Sequence, residues 1–202
     1  MKRIILASAS PRRRALLAAL GIEFEPAVSD ALEIVAGPSP ACIVETNAVS
    51  KRDDVAARGG GPAVIIAADT LVFLDEHVLP KPADEAEARA MLARLSGRTH
   101  QVYTGLAVVD TATGQTAQGH ECTDVTFRDL TPEEIGYFVD TVKPLDRAGA
   151  YTVDGPGSLL VARYDGCYMN VLGLPIVRLD LLLREIGVRL LDHMHPHRAV
   201  FL

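Results

Sequence analysis

Apolar positions come in short runs and in helical stripes, and the two kinds alternate along the chain. Ile4-Ile5-Leu6-Ala7 is a short apolar run that reads as a strand. Ser10 is a good N-cap and Pro11 suits the first helical position, so a helix follows to Leu20 with Gly21 as its C-cap. Glu23 to Val28 reads as a second short strand, and Asp30 to Pro40 as a loop that carries Glu33. From Pro40 to Arg58 the pattern is helical and brings Ile43, Asn47, Ser50, Lys51 and Asp54 near one another. Gly59-Gly60-Gly61-Pro62 ends that helix. Ala63 to Ala68 is continuously apolar, the pattern of a strand buried on both faces. It presents Asp69 and Thr70 at its C-terminal end, and Leu71 to Leu74 either continue it or fold back.

Further along, Leu79-Pro80-Lys81-Pro82 is a stiff extended connection, because residues before proline avoid helical backbone. Asp84 to Leu95 is rich in helix formers and stops at Ser96-Gly97. His100 to Val109 and Gln115 to Phe127 alternate as two antiparallel strands joined near Thr113-Gly114. Thr131-Pro132-Glu133-Glu134 opens another helix, which reaches Thr141. A Gly-rich stretch from Gly149 to Asp165 encloses a strand-like Ser158 to Arg163, and Leu174 to Ile186 forms a last amphipathic helix. The pattern predicts an α/β domain with a mixed sheet over residues 1–187, with room for two lobes, and a tail at 188–202.

Composition narrows the classes. Of 202 residues, 49% are hydrophobic and 23% charged, enough for a sizeable core. A net charge of −6 and the absence of Trp argue against a nucleic-acid binder but allow a small anionic ligand held by locally clustered cations. Cys42, Cys122 and Cys167 have no metal-ligand spacing and are expected as reduced, mostly buried thiols. With neither a signal-peptide pattern nor a membrane-length apolar run, a cytoplasmic protein is expected.

Several residues carry chemistry. The strand-to-helix junction Ser8-Ala9-Ser10-Pro11-Arg12-Arg13-Arg14 offers backbone N–H groups, hydroxyls and guanidinium groups to an anion; equally, it is a capped surface helix with solvated arginines. Asp69 at a strand end is a metal ligand, a base for water, or a turn-forming residue. Glu33 and Asp30 could join it, though Asp30 reads best as a solvated acid. Lys51, on a helix face with Asn47, and Lys81, between two prolines, are the candidate cations for phosphate. Gly155-Pro156-Gly157 either admits a ligand close to the backbone or forms a tight turn. His193, His195 and His197 could bind metal but lie in the tail. There is no GxxxxGK[ST] loop, no GxGxxG after a strand and no GxSxG elbow.

Five stretches in this order resemble the Maf family of nucleoside triphosphate pyrophosphatases: Leu6-Ala7-Ser8-Ala9-Ser10-Pro11-Arg12-Arg13, Ala67-Ala68-Asp69-Thr70, Lys81-Pro82, the run from Leu95 to Gly105, and Asn170-Val171-Leu172-Gly173-Leu174-Pro175. The resemblance implies an elongated mixed sheet flanked by helices around a cleft, similar to inosine triphosphate pyrophosphatases. It implies hydrolysis of a nucleoside triphosphate to the monophosphate and pyrophosphate with Mg²⁺ or Mn²⁺, and a homodimer. Asp69 then matches the proton acceptor or metal-linked carboxylate, with Glu33 as a second metal-side acid. Ser8, Arg12, Arg13, Lys51 and Lys81 match phosphate-handling positions. Arg12, Thr70 and Asp154 match positions tied to substrate choice.

Two departures stand out. Arg52 follows Lys51 where the family pattern has Ala. Asp154 stands where the branch acting on thymidine and uridine triphosphates has Gln, and an acid there is closer to the branch acting on 7-methylguanosine triphosphate. Thr70 matches the pyrimidine branch, so the two markers point in opposite directions. A non-catalytic nucleotide-binding regulator of cell division is the rival reading; it does not need Asp69 as a water-activating acid.

Overall fold

The computed structural model describes residues 2–75, 77–195 and 197–200. The strands are β1 (Ile4–Ala7), β2 (Glu25–Pro26), β3 (Val64–Leu74), β4 (His77–Leu79), β5 (Thr99–Asp110), β6 (Gln115–Phe127) and β7 (Val161–Asp165). The helices are α1 (Pro11–Ala19), α2 (Pro40–Ala57), α3 (Glu85–Leu95), α4 (Pro132–Val142), α5 (Tyr168–Val171) and α6 (Ile176–Glu185). The sheet runs β2-β1-β3-β5-β6-β7, with β4 on β3. Pairing with β1 is parallel, whereas β4 and β7 pair antiparallel, so the sheet is mixed. The long strands pass through two compact units: Met1–Asp69, Thr104–Glu121 and Gly173–Leu202 form one, and Thr70–Tyr103 with Cys122–Leu172 the other.

In the first unit, β1 lies between β2 and the start of β3. Ile4, Leu6, Val64, Ile66, Leu106 and Val108 bury one face with Leu17 of α1 and Leu179, Leu182 and Leu183 of α6. Ile5, Ala7, Ile65, Ala67 and Val109 pack on the other face with Val55 of α2. Burial on both faces is why the apolar runs are continuous rather than alternating. Ser10 caps α1, its hydroxyl accepting from the Arg13 amide, and Ser39 caps α2 in the same way through Cys42. Gly105 lies where a Cβ would meet the Val44 carbonyl oxygen at 2.2 Å, so glycine lets the backbone of α2 approach β5.

In the second unit, α3 and α4 contribute Ala88, Leu92, Leu95, Ile135, Phe138 and Val139 to a core with Val72, Leu74, Val102, Val125 and Phe127. Thr131 and Glu134 complete a capping box at α4.

Several expectations change. β3 continues to Leu74, so Asp69 lies in mid-strand rather than at a strand end. Eleven residues stay extended because all but Thr70 are buried and the strand turns back only at β4. The predicted second strand shrinks to Glu25–Pro26. Residues 155–159 are a 3₁₀ turn, which pushes the following strand to Val161–Asp165. In the stretch expected as a tail, Val188 and Leu190 are buried in the α6 core and the His195 amide donates to the Gly21 carbonyl at 3.1 Å. The cysteines form no disulfide, but Cys42 is exposed and the other two half-buried, so the thiols are less buried than expected.

Candidate active site

Within the first unit, β1, β3, α1, α2 and the loop before α2 bring together Ser8, Arg13, Glu33, Asn47, Lys51 and Asp69. The parallel register Ala7↔Ala67 sets Ser8 and Asp69 near one rung of neighbouring strands. Asp69 is only 4% exposed. Its Oδ1 accepts from Lys51 Nζ at 2.6 Å, and its Oδ2 accepts from Asn47 Nδ2 at 2.8 Å. Lys51 Nζ also lies 2.6 Å from Glu33 Oε1. One ammonium therefore bridges the two carboxylates that sequence reasoning singled out.

At the helix start, Ser8 Oγ accepts from Arg13 Nη1 at 3.1 Å and from the Ser10 amide at 3.2 Å. A hydroxyl that accepts twice still has its own proton to offer. Arg13 is buried and its Nε donates to the Gly173 carbonyl at 2.8 Å. Burial lowers the Arg13 pKa, Arg12 adds to the lowering, and Asp69 and Glu33 oppose it. Arg13 thus lies within electrostatic reach of both acids. Arg12 is half-buried in the first turn of α1. Arg14 donates to the Ala9 carbonyl at 2.8 Å.

The loop from Ala27 to Gly37 has no regular structure, and polar side chains of α2 staple it down. Arg58, at the C-cap, donates to the Val28 carbonyl at 2.7 Å and pairs with Asp30 at 3.0 Å. Asp54 accepts from the Asp30 amide at 2.9 Å. Lys51 holds Glu33, and Asn47 both accepts from the Ile34 amide at 2.8 Å and donates to the Ile34 carbonyl at 2.9 Å. Positions 47, 51, 54 and 58 recur at helical spacing, so one polar stripe pins the loop antiparallel to the helix. Asp30, exposed and held by Arg58, is remote in this ladder from the Asp69 end. The roles of Asn47 and Arg58 went unassigned from sequence; the stripe itself was the available signal.

The other candidates belong to the second unit. Thr70 is the next residue of β3 and is half-buried. Lys81 is exposed beside buried Pro82, and the preceding Pro80 carbonyl accepts from the Gly149 amide at 3.1 Å. Asp154 is exposed, and one of its carboxylate oxygens accepts the Thr152 hydroxyl. A Cβ on Gly157 would sit 1.8 Å from the Thr152 carbonyl oxygen, which makes the Gly-Pro-Gly stretch a tight turn folded onto Thr152. Tyr168 of α5 donates to the Val153 carbonyl at 3.2 Å.

Residues 3–186 match the family model described as Maf-like protein. The chain belongs to that family. A dTTP/UTP pyrophosphatase of Moorella thermoacetica is 50% identical over 190 residues, 93% of this chain and 97% of that protein. One of Desulforamulus reducens is 46% identical over 192 residues, 94% of this chain and all of that protein. The Ham1 protein of Staphylococcus aureus overlaps 63% of this chain and 73% of its own, at 16% identity and a TM-score of 0.45. Within this Maf-like chain, no group of three or more His, Cys, Asp or Glu residues that could hold a metal occurs among the described residues, and this includes the tail histidines. His193 is instead buried, which lowers its pKa. Among the described residues no helix is long and apolar enough to cross a membrane.

Proposed function

We propose that the chain is a nucleoside triphosphate pyrophosphatase acting on dTTP and UTP. The observation that carries the reading is Lys51 Nζ held 2.6 Å from both Asp69 Oδ1 and Glu33 Oε1, beside Ser8 and the buried Arg13. Relatives at 46–50% identity over nearly the whole chain, named dTTP/UTP pyrophosphatase, support it.

In the reaction, a water oxygen bonds to the α-phosphorus, the bond from that phosphorus to the bridging oxygen breaks, and pyrophosphate leaves with the electron pair. Asp69 takes the proton of the attacking water. Arg12 and Lys51 stabilise the charge that gathers on the leaving pyrophosphate, and the Ser8 hydroxyl donates to a phosphate oxygen. Glu33 Oε1 and Asp69 Oδ1 converge on Lys51 Nζ; with Lys51 paired to a phosphate instead, the two carboxylates would be open to a hard divalent cation such as Mg²⁺ or Mn²⁺. Glu33 and Asp69 would hold that ion, which supplies further charge neutralisation at the phosphates.

For the base, Thr152 matters. An ionised carboxylate only accepts, and the Thr152 hydroxyl already engages one oxygen of Asp154. The carboxylate still has lone pairs to accept an N–H from a base. A uracil or thymine ring presents one ring N–H between two carbonyls, whereas a guanine edge presents N–H groups from two nitrogens. The pyrimidine preference rests on the relatives named dTTP/UTP pyrophosphatase and on Thr70, and Asp154 would accept from the ring N–H.

Pyrophosphate release across dTTP, UTP, GTP and 7-methyl-GTP tests the reading. dTTP and UTP should lead, and Asp69→Asn should lower kcat by about a hundredfold or more while the fold survives. An unchanged order of preference in Asp154→Ala would show that Asp154 does not read the base. No release from any triphosphate would leave the regulator reading standing.

A further inference from the structure

We infer that Asn47 is a positioning residue that locks the Glu33 loop to the Asp69 carboxylate; the inference rests on the pyrophosphatase reading of this cluster. Asn47 is 2% exposed and lies on α2 one turn before Lys51. Its amide makes three bonds: Oδ1 accepts from the Ile34 N–H at 2.8 Å, and Nδ2 donates to the Ile34 carbonyl at 2.9 Å and to Asp69 Oδ2 at 2.8 Å. Both amide protons are used. Only one orientation of the side chain satisfies this set, because a flipped amide would turn its oxygen toward the Asp69 carboxylate and its NH₂ toward the Ile34 N–H.

Two consequences follow. The two oxygens of Asp69 are held by different donors, Lys51 on Oδ1 and Asn47 on Oδ2, so the carboxylate cannot rotate without breaking both bonds. Lys51 is the member of this pair that a phosphate competes for, since a cation serves the triphosphate as well as the acid. Asn47 is neutral and buried, and it keeps Asp69 oriented when Lys51 turns to substrate. Through Ile34 the same side chain fixes the backbone next to Glu33, so the two acids are set relative to one another by one amide. Catalytic groups misplaced by about 1 Å lose on the order of a hundredfold in rate.

Two variants separate this role from a role in folding. Asn47→Leu keeps the volume and removes all three bonds. Asn47→Asp keeps the shape and an acceptor for the Ile34 amide but puts an acceptor where Asp69 needs a donor. Wild type and both variants are assayed with dTTP and Mg²⁺ for kcat and KM, melted by circular dichroism, and followed by amide exchange at Ile34. Both variants should lose about 10- to 100-fold in kcat, with KM changed less than about threefold, at temperatures where they are folded. Exchange at Ile34 should quicken in Asn47→Leu and stay slow in Asn47→Asp. Wild-type kcat in both folded variants, or losses that vanish once measured well below the melting temperature, overturn the inference alone. A wild type without turnover overturns the reading beneath it and the inference with it.

Discussion

His100 shows how one buried side chain ties the protein to pH. It is 2% exposed, its Nε2 is hydrogen-bonded to the Tyr151 hydroxyl at 2.7 Å, and its Nδ1 has no partner among the described residues. Phe127 and Tyr151 meet its ring edge-on. Burial holds its pKa down from the ordinary 6.5 to about 4. The unfolded chain therefore takes up a proton at a pH where the folded chain does not. Stability is complete above about pH 6.5 and is lost as pH falls toward 4, by on the order of 3 kcal/mol over that window. Denaturant unfolding between pH 7 and 4 should show the loss, and His100→Gln, which keeps a partner for Tyr151, should flatten it. A slope that survives in the variant assigns the effect to other groups. Asp69 and the Ser8-to-Arg13 stretch were legible as chemistry because charged or polar residues stood beside apolar runs, Lys51 as a cation on a helix face, and Glu33 as a loop acid that the family resemblance singled out. Asn47 was legible as a neighbour of Lys51, but its partners lie 13 and 22 positions away, and no local pattern names them.

At the scale of elements, α2 carries most of what the site needs. It is anchored at Ser39, pressed onto β5 at Gly105, and turns Asn47, Lys51 and Asp54 toward the Glu33 loop. Gly105→Ala would bring a Cβ to 2.2 Å from the Val44 carbonyl oxygen and 2.7 Å from the Glu45 amide nitrogen. Backbone cannot yield as a side-chain tip can, so the helix must shift, at about 1–3 kcal/mol. The melting temperature should fall, and kcat should fall further than that loss explains, because the side chains that orient Asp69 and Glu33 ride on the displaced helix. An active variant with only a lowered melting temperature would show that α2 tolerates the shift. The helices were readable from their caps: Ser10, Asp84 and Thr131 each begin one, as their spacing to the following amides requires. The end of β3 was not, since apolar residues continue past Asp69 and only pairing with β4 decides where the strand stops.

For the whole molecule, charge distribution outweighs net charge. A chain at −6 still gathers Arg12, Arg13 and Lys51 around the start of α1 and the middle of α2. On the proposed reading, the two acids beside these cations would take a divalent ion that arrives with the triphosphate. Chelation with EDTA should abolish turnover, and Mg²⁺ or Mn²⁺ should restore it. At ten times its Kd the ion should also raise stability by about 1.4 kcal/mol, read as a higher melting temperature that Asp69→Asn and Glu33→Gln reduce. Turnover that persists in excess EDTA removes the metal from the reaction.

The sequence by itself determined the alternation of strands and helices, the caps, the residues of the signature stretches and hence the family, because those depend on spacing within a few residues. Tertiary structure alone decided that one lysine bridges Asp69 and Glu33, that Asp30 is held away by Arg58, and that Asn47 joins the loop to the strand. It also decided that Val188 and Leu190 leave the expected tail for the core. Each of these depends on which distant backbone lies within about 3 Å of a polar atom, or on which apolar face remains uncovered, and both are set only when the sheet and its helices close on one another.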